Sequence, residues 1–210
     1  MKSATVFALN LFALLFAFAG CSNVGHVYVA PGYQSLDDSA VKRIIVAGWS
    51  VDRGAAPLIA RVAGDFVKLR KDYIVTETVG LTRGFEDACK DSIQGVLAVR
   101  VLESKLATRQ VSLRVAAELY RCTDGALLWR AEGEGNANPA DESLKEMVAN
   151  YATDFGEPAK TYAAPAFVVL QDVLNALPNV KLSDKEVEEK IELGQGPFSS
   201  PGPSTYIGSS

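Results

Sequence analysis

VSLRVAAELYRCTDGALLWR, running from Val111 to Arg130, is the stretch whose reading decides the fold. Val111, Leu113, Val115, Ala117 and Leu119 alternate with Gln110, Ser112, Arg114, Ala116, Glu118 and Tyr120. That two-residue period is the pattern of a strand with one apolar and one largely polar face. Thr123-Asp124-Gly125 supplies turn chemistry, because glycine accepts a positive φ that side chains resist. Ala126 to Glu134 returns as the partner strand, so residues 109–134 read as an antiparallel hairpin.

Working back from the hairpin, Gly95 to Leu102 is an apolar strand, preceded by a short helix over Gly84 to Ser92 and a β-branched and aromatic strand over Tyr73 to Val79. Leu58, Val62, Phe66 and Leu69 share one face of a 3.6-residue period, with Pro57 suited to a first helical turn. Arg43 to Gly48 is a short apolar run bounded by charge and glycine, the signature of a buried strand.

Working forward, Asn138, Pro139, Asp141 and Glu142 form a helix start, and Leu144, Val148, Tyr151 and Phe155 its apolar face, ended by Gly156 and Pro158. A further apolar helix runs from about Ala164 to Leu177, and Ser183 with Glu186 gives a capping-box pattern. The expected fold is a single α/β domain over residues 41–178, with a mixed sheet of about five strands flanked by helices. A short C-terminal helix over 179–194 follows. Residues 195–210, rich in Gly, Pro and Ser, are expected to be a disordered tail.

The other end has an address. Lys2 precedes a nearly unbroken apolar run from Val6 to Ala19 that closes on small residues, the three parts of an export signal over residues 1–20. The run is shorter than the roughly 20 apolar residues a full membrane span requires. Residues 21–40 mix Gly, Pro, Ser and Asp with few aliphatics and read as a flexible tether.

Removal of the leader takes away Lys2 and leaves 20 basic against 25 acidic residues, a net charge of −5. A mildly acidic chain argues against a general nucleic-acid binder and against electrostatic docking on a membrane. Cys89 and Cys122 remain besides Cys21. In an oxidising compartment they either form one disulfide or sit as two separate buried thiols.

Two resemblances follow from these residues. Phe18-Ala19-Gly20-Cys21 resembles the lipobox of bacterial lipoproteins, which implies that Cys21 carries a diacylglyceryl and acyl lipid and starts the mature protein. Ser22 stands where some lipoproteins carry an inner-membrane retention aspartate, so the resemblance implies the periplasmic face of the outer membrane. Val111 to Arg114, the Thr123-Asp124-Gly125 turn and Leu128-Trp129, with Gly95 to Val99 before them, resemble the CsgG/LpoB-like periplasmic lipoproteins. That implies a CsgG/LpoB/TolB-N-like domain and an accessory role in transport, export or cell-wall regulation. Small Gram-negative lipoproteins of similar length look alike in this respect. Paired amphipathic segments of transmembrane-hairpin length are not evident, so a pore like the curli secretion channel is not expected.

Catalytic constellations are thin. His26 is the sole histidine and falls in the expected tether, away from any rigid site. Glu86, Asp87, Asp91, Asp141 and Glu142 read as exposed helix residues rather than an acid/base pair. Gly80 to Gly84 lacks the Gly-Lys-Ser/Thr ending of a phosphate loop and reads as a connecting turn, with Arg83 the residue to watch for an anion. Trp49 and Trp129 are candidate ligand or partner contacts, weighed against core packing. The expectation is a non-enzymatic interaction module without metal or cofactor. It binds the membrane through its lipid, contacts envelope proteins and admits self-association. The alternatives are a small-ligand or glycan-binding lipoprotein and, more remotely, a carboxylate-based hydrolase.

Overall fold

In the computed structural model, which describes residues 22–33, 41–52, 54–80, 88–90 and 92–196, the alternating segment around Val115 lies within a six-stranded mixed sheet. The strands are β1 (Ser22–Val29), β2 (Arg43–Trp49), β3 (Ile74–Gly80), β4 (Gly95–Leu106), β5 (Val111–Arg121) and β6 (Leu127–Ala137), in spatial order β1-β6-β5-β4-β2-β3. β2 runs parallel to β3 and β4, and the other pairs are antiparallel. Among the described residues four helices accompany them: α1 (Ala55–Arg70), α2 (Lys145–Phe155), α3 (Glu157–Asn175) and α4 (Asp184–Glu192). The expected leader, Cys21, the 34–40 part of the expected tether, most of the expected helix over Gly84 to Ser92, and residues 197–210 lie outside the described residues.

The domain is α/β as expected, with one strand more. Ser22–Val29, assigned above to a tether, is an edge strand paired with β6 from Ser22↔Gly135 to Val29↔Trp129. Its register shifts between Val24 and Val27, so Gly25 and His26 break the alternation that would have announced it. Tyr33, just beyond it, is buried, and its hydroxyl lies 2.6 Å from that of Tyr73.

The sheet has two unlike faces. Ile44, Val46, Leu97, Val99, Leu113, Val115, Leu119 and Trp129 meet α1, α2 and α3 in the main core. On the reverse face, Ile45, Ala47 and Val96 are covered by Ala88, Cys89, Ile93 and Cys122 of the connections. Cys89 and Cys122 are bonded with Cα atoms 5.4 Å apart, fastening the β3–β4 connection to the end of β5.

Helix α1 rests against β2 at a point with no room for a side chain. A Cβ on Gly48 would come within 2.2 Å of the Ala56 carbonyl oxygen and 2.8 Å of the Ala60 nitrogen. Gly156, at φ 59°, ends α2 and lets the chain turn directly into α3. Helix α3 begins at Glu157 rather than Ala164, with Pro158 in its first turn and Pro165 inside it. Asn138 and Asp141 do not open α2. Their side chains accept from the Ala140 and Ser143 amides, making two tight turns ahead of Lys145.

The capping box on Ser183 and Glu186 is present at α4. Glu186 also accepts from Lys42, and Arg43 pairs with Glu189, which seats α4 beside the start of β2. Just beyond α4, Gln195 departs from the expected disordered tail. Its buried side-chain amide accepts from Val75 N at 2.9 Å and donates to Val75 O at 2.6 Å, taking the place of a neighbouring strand on β3.

Two outcomes are expected from this packing. Gly48→Ala drives a methyl into the α1 backbone and lowers unfolding free energy by about 3 kcal/mol, read from urea denaturation. The Ser183 amide, with help from Lys42, holds the Glu186 carboxyl at about 2, below its ordinary 4.5. A carboxylate with a depressed folded pKa contributes stability above its unfolded pKa and loses it as pH falls through the folded one. Glu186→Gln therefore lowers the denaturation midpoint at pH 7, and the gap from wild type closes between pH 4.5 and about 2.

Candidate interaction surface

Strand register brings charge together on the face that the helices leave uncovered. Glu118 lies directly opposite Arg130 on β6 and Ala98 on β4, so Arg100 is its diagonal neighbour on β4. The Glu118 side chain is only 5% exposed, and its two oxygens are both engaged. Oε2 forms an ion pair with the Arg100 guanidinium at 3.2 Å and Oε1 with that of Arg130 at 3.1 Å. Tyr120, two residues on and on the same face, donates its hydroxyl to Oε2 at 2.9 Å. Burial, with the carboxylate alongside, pushes the Tyr120 hydroxyl pKa up and keeps it a donor.

The network extends in both directions. Arg130 also bonds Glu132, and Arg114 reaches Glu132 at 3.4 Å. The guanidinium of Arg100 lies 5.6 Å from the centre of the Trp49 ring, a cation–π contact. Trp49, Arg100, Glu118, Arg130, Glu132 and Arg114 thus form a continuous polar ladder over β2, β4, β5 and β6. The three guanidiniums are about half exposed, so the ladder can exchange partners with a docking surface while Glu118 holds its centre.

The sequence-predicted residues fare differently. Trp49 belongs to the ladder. Trp129 does not reach any surface: it is fully buried, and its Nε1 donates to the Ala176 carbonyl at 3.1 Å, so its assignment as a ligand or partner contact is corrected to a core and helix-end role. Arg83, Glu86, Asp87 and Asp91 lie outside the described residues. His26 is exposed on β1. Asp141 is half-buried and bonded to Ser143, and Glu142 is exposed and paired with Lys145. Among the described residues no cluster of three or more His, Cys, Asp or Glu suited to a metal ion is present, and no helix is long and apolar enough to cross a membrane.

Glu118, Arg100 and Arg130 carry the surface, and the sequence reading passed over them: Glu118 as one of the polar half of an alternation, Arg100 inside an apolar strand and Arg130 inside the returning strand. The alternation of β5 puts Glu118 on that face, but the turn alone does not set its partner: the register shifts between Leu119 and Tyr120, which brings Glu118 opposite Arg130 rather than Trp129. A separate groove of about 320 Å³ lies on the helical side, lined by Asp65, Phe66, Tyr151, Phe167 and Gln171. There Asp65 accepts from both Arg61 Nε at 3.0 Å and the Tyr151 hydroxyl at 3.1 Å.

Removing the central carboxylate strands two guanidiniums on each other. Glu118→Ala is expected to cost about 2 kcal/mol by urea denaturation, below the figure for a fully buried pair because the arginines are half exposed. Arg100→Ala leaves Arg130 in place and costs less.

No family model matches the chain, and no curated protein matches it. Among solved structures, it is similar to a variant PelC dodecamer from Paraburkholderia phytofirmans at 15% identity, covering 76% of this chain and 98% of that one, with a TM-score of 0.46. The PelC dodecamer from the same organism gives 16% identity, 77% and 100% coverage and a TM-score of 0.45. Lipoprotein GNA1162 from Neisseria meningitidis gives 13% identity, 54% and 96% coverage and a TM-score of 0.36. At these identities and TM-scores the likenesses carry no argument about function.

Proposed function

We propose that this chain is a lipid-anchored accessory protein of the bacterial envelope, held at the periplasmic face of the outer membrane and acting by protein–protein contact. The observation that carries the reading is the Phe18-Ala19-Gly20-Cys21 motif closing an apolar leader, since a cysteine thiol in that setting is the acceptor of a diacylglyceryl group. More than one acyl chain is needed for stable anchoring, and a lipidated cysteine supplies it.

The contact surface is the ladder of Arg100, Glu118, Arg130, Glu132 and Arg114. Arginine-rich, half-exposed networks on a rigid sheet suit recognition, because each guanidinium offers several fixed donors. The reading is non-enzymatic and needs no cofactor beyond the lipid. In its support, the buried carboxylate of the ladder is tied to two guanidiniums and a hydroxyl, which leaves it poorly placed to shuttle a proton.

The test is crosslinking in cells followed by recovery of the intact protein beside Cys21→Ala, with membrane fraction and N-terminal mass recorded for each. A defined envelope complex should come only with the lipidated form, and Arg114→Glu with Arg130→Glu should reduce its yield without altering the mass. A Cys21→Ala protein that remained in membranes at an N-terminal mass equal to wild type would overturn the anchor.

A further inference from the structure

The first strand leaves almost no chain between the lipid site and the sheet. Cys21 is the residue before Ser22, so their Cα atoms are about 3.8 Å apart whatever the conformation between them. Ser22 is already paired with Gly135. Gly135 faces Leu113, and Leu113 faces Ser104, so these four residues make one row across β1, β6, β5 and β4. A lipid on Cys21 therefore brings this end of the sheet to the bilayer with no tether to hold it off.

The β4–β5 hairpin does not stop at that row. It runs on through Lys105 and Leu106, and its turn closes where Ala107 N–H donates to Gln110 O at 2.8 Å. At about 3.4 Å per residue the turn stands roughly 10 Å beyond Ser22 along the strands, and three strand spacings of about 4.8 Å to the side. Every residue from Leu102 to Gln110 is exposed, with Leu106 at 64%. The tip carries Arg109, while Lys105 just behind it is paired with Glu103 at 2.9 Å. An exposed leucine beside an arginine on a projecting turn is ill suited to water and well suited to the boundary between headgroups and acyl chains.

We propose that the hairpin tip, Leu106 to Gln110, is a second membrane contact, with Leu106 seated at the headgroup–acyl boundary and Arg109 on lipid phosphates. The sheet then stands end-on upon the bilayer that the Cys21 lipid enters. The proposal rests on the lipidation of Cys21 put forward above. The competing pose lays the β1 edge on the membrane through Val27, Tyr28 and Val29, which are 50%, 47% and 37% exposed. That pose turns the outer backbone groups of an edge strand toward lipid, where they lack the water that satisfies them. The end-on pose leaves those groups in water and also keeps the arginine ladder, on the flank of the sheet, accessible.

The experiment places one tryptophan at a time in the full-length lipidated protein: Leu106→Trp, Tyr28→Trp and Thr123→Trp, the last in the hairpin at the opposite end of the sheet. Each is reconstituted into phosphatidylethanolamine/phosphatidylglycerol vesicles with or without brominated acyl chains, and the wild-type emission of Trp49 and Trp129 is subtracted. The Leu106→Trp indole should shift to the blue and lose emission in brominated vesicles, and the Thr123→Trp indole should do neither. Protein that floats with vesicles and shows no quenching at Leu106→Trp overturns the hairpin contact. Stronger quenching at Tyr28→Trp than at Leu106→Trp overturns it in favour of the edge-on pose. An N-terminal mass without lipid, with protein left behind in flotation, marks failure of the anchor reading and is separately recognisable.

Discussion

The end of α3 and the three residues after it would leave carbonyl oxygens without helical partners beside the core, and the fold is arranged around satisfying them. Lys71 sends its ammonium to the Asn175 carbonyl at 2.9 Å and the Leu177 carbonyl at 2.7 Å. Trp129 donates to Ala176, and Tyr73 donates to Pro178 at 2.9 Å. Two separate elements, the α1–β3 connection through Lys71 and Tyr73 and β6 through Trp129, thus end on one helix terminus. A cation there also meets the negative end of the helix dipole. Burial lowers the Lys71 pKa, and the two carbonyls supply part of the solvation it gives up.

From this point the tie spreads to both edges of the sheet. Tyr73 meets Tyr33, which follows the edge strand β1, while the Lys71 carbonyl accepts from buried Lys190 of α4. Gln195, a few residues on, occupies the backbone of β3, so one edge is closed by a side-chain amide and a helix. The other edge, β1, has no such cover among the described residues. Edges left unpaired invite further strands. The two edges of this sheet are treated differently by the chain itself, and the open one is the strand that begins one residue after Cys21.

Elements with an uninterrupted period were legible in the sequence: the β5–β6 hairpin, α1, the β2 run and the α4 capping box all fall where their patterns put them. β1 was not, because Gly25 and His26 sit at a register shift and because an edge strand shows water too many of its side chains to alternate clearly. Gln195 was hidden for another reason. Composition describes what a segment can bury on average, and says nothing of one amide meeting one backbone. Trp129 was legible as an aromatic at a strand end, but whether it faces solvent depends on where α3 terminates, a fact two elements distant in sequence.

The uncovered face shows why net charge is a poor guide to how this molecule recognises anything. The chain is acidic overall, yet the ladder holds Arg100, Arg114 and Arg130 against Glu118 and Glu132, close to local neutrality. Long-range steering from such a patch is weak, and screening shortens it further. Selectivity must then come from the fixed directions of guanidinium donors. Those directions are held by Glu118, which is itself held by the strand register. A partner that binds here is chosen at contact distance, which suits a search already confined to a surface, as the lipid proposed on Cys21 would confine it.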